Sequence, residues 1–168
     1  MFTPVVKAIQ TRKGSRAHYQ RMEDAGGWRT RITVELKAFI EEQNSVFLAT
    51  TSADGQPYIQ HRGGPPGFLR VLDEKTIAFA DFGGNRQYIT WGNLTENPKF
   101  FLFLIDYEHR RRIKMWGTAV VVEDDAALIA RLKPEGYRAR AERAMLLTVT
   151  GWDENCPQHI PQRIEVPA

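Results

Sequence analysis

The sequence predicts an α+β protein built on an antiparallel β-barrel, closed or split, with helices added at one side. Two observations lead there. From residue 45 onward the apolar residues change from a helical period to alternation, and successive runs are joined by short turn signals that favour antiparallel hairpins. The helical patterns sit mostly before that point, in residues 1–44, or as short insertions between strands. At 168 residues the chain suits one domain with its own core, divided into N-terminal helices (1–44), barrel (45–150) and an irregular tail (151–168).

Taken in order, Thr3-Pro4 is a helix start, a threonine cap followed by proline at the first helical position. Val5, Val6 and Ile9 then form an apolar stripe, and the helix ends at Gly14. Residues 15–28 read as a short helix and a loop closed by Gly26-Gly27. Leu36, Phe39, Ile40 and Gln43 share one face of a second amphipathic helix, with Thr33 as its cap. Strands are expected over 46–51 and 58–62, joined across Ala53-Asp54-Gly55-Gln56, and over 68–72 and 76–81, joined across Asp73-Glu74-Lys75. A short helix over 87–96 stops before Asn97-Pro98, because a residue preceding proline is pushed out of the helical region. The apolar run 100–105 predicts a strand covered on both faces. In the strand 112–122, alternation sets Ile113, Met115, Gly117, Ala119 and Val121 against Arg112, Lys114, Trp116 and Thr118. Asp124-Asp125 opens a helix through Leu132, and a last strand covers 144–150.

Composition excludes several classes. A hydrophobic fraction of 42% and a charged fraction of 26% are those of a globular protein, neither disordered nor fibrous. No window approaches a membrane span, and the N-terminus lacks a signal-peptide pattern, so a cytoplasmic location is the expectation. The one cysteine, Cys156, excludes an internal disulfide framework and is expected as a small buried hydrophobe. Cys156 with His159 lacks the ligand spacing of structural zinc, and no metal site is expected. His18 and His109 are expected on the surface. The net charge of +3 permits an anionic ligand without demanding a nucleic acid, and the run His109-Arg110-Arg111-Arg112 reads as a solvated hairpin tip.

The chemistry-bearing residues lie between 45 and 97. Gln60-His61-Arg62-Gly63-Gly64 and Gly83-Gly84-Asn85-Arg86-Gln87 each place an arginine beside glycines at the end of an expected strand. There the backbone can approach a ligand and a guanidinium can fork onto phosphate oxygens. The hairpin between them would bring both arginines to one end of a sheet. Lys114 and Trp116 share a strand face and would add a cation and a flat wall, so the set fits a phosphate joined to a planar ring system. Flavin mononucleotide, FMN, meets that description.

The runs 55–68, Phe79-Ala80-Asp81-Phe82, Gly84-Asn85-Arg86-Gln87-Tyr88-Ile89 and Asn155-Cys156-Pro157-Gln158-His159-Ile160 resemble the FMN-binding split-barrel proteins related to pyridoxamine 5'-phosphate oxidase, over nearly the whole chain. The resemblance implies a Greek-key-like split barrel and a homodimer with FMN at the subunit interface. It implies cofactor contacts from Gln60, His61, Arg62 and Gly63, from Asn85, Arg86 and Gln87, and from Lys114 and Trp116. Gln60 and Gln87 stand where the oxidase has an arginine and a lysine, so the phosphate clamp is expected around Arg62, Arg86 and Lys114. The oxidase's terminal Arg-Leu-x-Pro signature is replaced here by Gln162-Arg163-Ile164-Glu165-Val166-Pro167-Ala168, which implies a branch distinct from the true oxidase. The implied activity is that of an FMN-dependent oxidoreductase acting on an unknown small molecule, with reduced nicotinamide as a candidate donor and no assigned catalytic residue. The alternatives are a non-catalytic module holding flavin or heme, and a basic nucleic-acid-binding domain; a deazaflavin in place of FMN also stays open.

Overall fold

The computed structural model describes residues 1–164. Three helices come first, α1 (Pro4–Lys13), α2 (Arg16–Asp24) and α3 (Val34–Glu42), followed by strands β1 (Ser45–Thr51), β2 (Pro57–Gly63), β3 (Arg70–Val71) and β4 (Thr76–Phe82). Helix α4 (Ile89–Glu96) leads into β5 (Lys99–Asp106) and β6 (Arg111–Val122), and α5 (Ala126–Leu132) precedes the long β7 (Ala141–Glu154). The strands form one antiparallel sheet in the order β2-β1-β5-β6-β7-β4-β3. Laid flat, five strand spacings would separate β2 from β4 by about 24 Å. Yet Arg62 of β2 lies 2.8 Å from Asp81 of β4. The sheet therefore curls until its ends face each other without backbone pairing, a split barrel.

The inward side chains of β1, β5, β6, β7 and β4 make the main core, with Leu48, Leu102, Leu104, Ile77 and Leu147 fully buried. Helix α3 caps this core through Leu36, Phe39 and Ile40, each contributing about 2 kcal/mol by burial. Thr33 caps the helix, its hydroxyl accepting from Leu36 N at 3.2 Å. Glu41 fixes it to β3 by accepting from Val71 N at 3.0 Å. On the outer face, α5 sits over Ala78, Ala80 and Ala144, whose small side chains let Leu132 approach the sheet. Gly117 serves a similar need within the sheet. Beside the β6–β7 irregularity, a Cβ there would stand 1.9 Å from the Thr148 carbonyl oxygen.

Several expectations shift. The predicted strand 68–72 shrinks to Arg70–Val71, because a turn closed by Phe68 N on Pro65 O drives Phe68 and Leu69 into the core instead of along the ladder. The last strand starts at Ala141 and runs to Glu154, so Trp152 belongs to the core and not to the tail. Its ring N–H donates to Arg31 O at 2.8 Å. The run in β5 is covered on one face only: Phe100, Leu102 and Leu104 are buried, whereas Phe101 and Phe103 are half-buried. The Val5, Val6, Ile9 stripe does not face the core; Val5 is 69% and Ile9 45% exposed, and α1 instead buries Gln10, which accepts from Arg16 at 2.7 Å. Helix α4 begins at Ile89, two residues later than expected, because Arg86 and Tyr88 hold positive φ.

Candidate functional site at the split

The split holds a cavity of ≈ 220 Å³. Strand β2 supplies Tyr58, Gln60 and Arg62 from its inner face, and β4 supplies Asp81. The loop after β4 supplies Asn85, Arg86 and Gln87, and β7 supplies Arg143. Five of the nine expected site residues therefore meet here: Gln60, Arg62, Asn85, Arg86 and Gln87. The other four do not line it. His61 points to the opposite face of β2 and hydrogen-bonds Ser45 Oγ at 2.8 Å. Gly63 ends the strand beneath His61, where a Cβ would come within 2.9 Å of the imidazole.

Lys114 and Trp116 also lie on the outer face. The register runs His61–Phe47–Phe103–Lys114–Asp153 across five strands, and Lys114 Nζ is 3.4 Å from Asp153. Trp116 stacks on Phe101 at 5.9 Å and meets the edge of Trp28 at 5.3 Å. The nine residues thus form two groups on opposite faces of one sheet.

The cavity's electrostatics centre on Asp81. Arg143 Nε donates to Asp81 Oδ2 at 3.1 Å, and Arg143 also donates to Glu142 at 3.0 Å. Arg62 Nη1 is 2.8 Å from Asp81 Oδ1, close enough for charge attraction but without hydrogen-bond alignment. Both that oxygen and Arg62 Nε are buried with no hydrogen-bond partner among the described residues. An unsatisfied buried donor of this kind is costly and aims the site toward an acceptor. Arg86, at φ 60°, is exposed at the rim.

Helix α4 contributes backbone donors. Its cap residue Tyr88 sits at φ 56° with no side-chain cap bond, and the first helical residues Ile89, Thr90 and Trp91 line the cavity. A helix N-terminus with free N–H groups attracts anions. Thr90 donates to Gln60 Oε1 at 2.9 Å, and Asn93 donates to Thr50 Oγ1 at 3.0 Å, so the helix is pinned to β2 and β1. Gln60 therefore positions the helix, a role its residue type did not announce.

Asp81 and Arg143 were not among the expected site residues. Arg143 lies just before the strand start expected at 144, and Asp81 stood as a strand end and within a run carrying the family resemblance, without a site role. A charged residue at an inward alternation position was the available signal for each.

Elsewhere, the basic hairpin tip is partly paired with its own surroundings. His109 contacts Asp106 at 2.7 Å, Arg111 pairs with Glu154 at 3.3 Å, and Arg112 donates to Cys156 O at 3.4 Å. The hydrogen bond to Asp106, and then its charge, raise the His109 pKa above the ordinary value. His18 and His109 are exposed, as expected. Cys156 is exposed, contrary to its expected burial, because it follows the end of β7 and Pro157 prevents the strand from continuing.

Fold and site together define a split-barrel protein with an anion-attracting cavity where the barrel opens. Residues 32–156 match the family model described as pyridoxamine 5'-phosphate oxidase, and the chain belongs to that family. HupZ of Group A Streptococcus is 22% identical, covering 79% of this chain and 98% of that one, with a TM-score of 0.61. An FMN-binding protein from Syntrophomonas wolfei is 13% identical, covering 86% and 96%, with a TM-score of 0.59. An F420 reductase is 20% identical, covering 70% and 94%, with a TM-score of 0.51. These likenesses concern the fold. No curated protein matches the chain. No helix among the described residues is long and apolar enough to cross a membrane.

Proposed function

We propose that the cavity holds the phosphate end of FMN and that the protein is an FMN-dependent oxidoreductase acting on a small molecule, working as a homodimer. One observation carries this reading: Arg62, Arg86 and Arg143 converge with the uncapped N-terminus of α4 on one cavity. That donor set suits a dianionic phosphate ester. Its volume of ≈ 220 Å³ falls below the roughly 300–1,000 Å³ of a pocket enclosing a whole small ligand. The cavity therefore suits the phosphate, and the ring system needs further cover.

A second copy of the chain is the proposed cover. Ile59 is 63% and Val120 54% exposed on the outer face, where Phe47, Phe101 and Phe103 are only half-buried. In this reading the group with Lys114 and Trp116 faces the partner, as the family resemblance implies. FMN, when bound, supplies the hydride or electron transfer, and this chain's residues bind its phosphate and orient it.

The visible spectrum of the purified protein tests the reading, with added FMN if it is colourless. Flavin bands and FMN released on heating are the expected result, together with bleaching by reduced nicotinamide. A Soret band, or a colourless protein that takes up no FMN, would overturn the assignment. Arg86→Ala is expected to weaken FMN retention at least tenfold, the loss of one charge-assisted contact.

A further inference from the structure

We propose that Arg143, on β7, is a phosphate-binding residue of this site and its most rigidly held cation. The inference rests on the phosphate-ester reading of the cavity.

Arg143 is 7% exposed and lines the cavity. Its donors are divided. Nε is committed to Asp81 at 3.1 Å and Nη2 to Glu142 at 3.0 Å, while Nη1 has no protein acceptor among the described residues. The guanidinium is also held against two rings, Tyr88 at 5.2 Å and Trp91 at 5.1 Å. Carboxylates and rings together fix its plane, so a phosphate meeting Nη1 would not have to order a long side chain. Arg86 is the contrast, exposed at the rim.

Charge points the same way. Asp81 is shared by two arginines, so Arg62, Arg143 and Arg86 bring three positive charges against the two of Asp81 and Glu142. The balance is one net positive charge beside the open amides of α4. Lys114, the third cation expected from the sequence, lies on the other face of the sheet with Asp153. Within this chain, Arg143 supplies the third cation that the cavity needs.

The experiment compares FMN with riboflavin, which lacks the phosphate, by fluorescence titration of the full-length protein and of Arg143→Met and Arg143→Lys. The parent is expected to prefer FMN at least tenfold. Arg143→Met should lose at least tenfold in FMN affinity while riboflavin affinity holds, collapsing the preference, and Arg143→Lys should recover part of it. Equal weakening of both ligands would reduce Arg143 to a structural prop for α4, and an unchanged FMN preference would remove it from the clamp; either overturns the proposal. If Arg143→Met does not fold, Arg143→Lys decides: an undiminished FMN preference refutes the proposal, and a selective loss supports it. A parent protein that binds neither ligand would overturn the phosphate-ester reading itself, and this inference with it.

Discussion

Replacing Asp81 with asparagine should move stability and ligand affinity in opposite directions. Asp81 joins the two ends of the curled sheet, touching Arg62 of β2 at 2.8 Å and Arg143 of β7 at 3.1 Å. The side chains of Arg62, Asp81 and Arg143 are 18%, 11% and 8% exposed. Removing one member of a buried ion pair costs roughly 3–5 kcal/mol, because the remaining charge is left uncompensated. Asparagine keeps an oxygen for Arg143, and the residual exposure screens the rest, so about 2–3 kcal/mol is expected here. For a chain of this length each kcal/mol lowers the melting temperature by about 2–4 °C, giving a loss of about 5–10 °C. The same change takes a negative charge from the cavity wall, so affinity for a phosphate ester should rise on the order of tenfold. Thermal unfolding without ligand and FMN titration read the two effects separately. An unchanged melting temperature would show that the split is not held by this pair. A fall in both stability and affinity would show that Asp81 serves mainly to position Arg62.

Gly117→Ala places a methyl group 1.9 Å from the Thr148 carbonyl, so the β6–β7 ladder must break. Loss of soluble folded protein, or destabilisation above about 4 kcal/mol, is expected in expression and denaturant titration. Gly151→Ala meets the Trp116 ring at 2.6 Å, and because a side chain can shift, the expected cost is smaller, about 1–3 kcal/mol. His109 should titrate above its ordinary value of 6.5 in an NMR pH series, and Asp106→Asn should return it. Since folding raises this pKa, the contact stabilises the tip fully below about pH 6.5, and the contribution disappears as pH rises through the folded-state value. Ile59→Glu sets a charge on the outer face of the edge strand and should convert a dimer to monomer in sedimentation without unfolding it. A dimer unaffected by the change would place the interface elsewhere.

Local chemistry made much of the fold legible. The caps at Thr3 and Thr33 each depend on a side chain and an amide three residues on, and both form. The hairpin turns and the alternation of β6 were visible for the same reason. At the site, Arg62 and Arg86 could be paired because glycine-rich strand ends announce close backbone approach. Asp81 and Arg143 could not, because their meeting requires β7 to lie beside β4 and the whole sheet to curl. Those are long-range outcomes of burying Leu48, Leu102, Ile77 and Leu147 together. Lys114 shows the complementary failure. Alternation put it with Trp116, but which face looks into the cavity is set by Ile113 and Met115, which fill the core from the other side.

Strand β2 carries the clearest physical statement of purpose in the chain. A half-buried edge strand normally turns its apolar residues inward and its polar ones outward. Here Gln60 and Arg62 face the interior and Ile59 is 63% exposed. A one-residue slip would send Ile59 inward, yet the register from Ser45↔Gly63 to Thr51↔Pro57 is continuous and holds the polar residues at the cavity. Core packing alone would not select that register. It becomes favourable when an anion satisfies the inner face and an apolar surface covers the outer one. The inverted pattern thus ties the ligand cavity and the proposed subunit contact to opposite sides of the same seven residues. Filling one side should therefore strengthen the other through the strand they share.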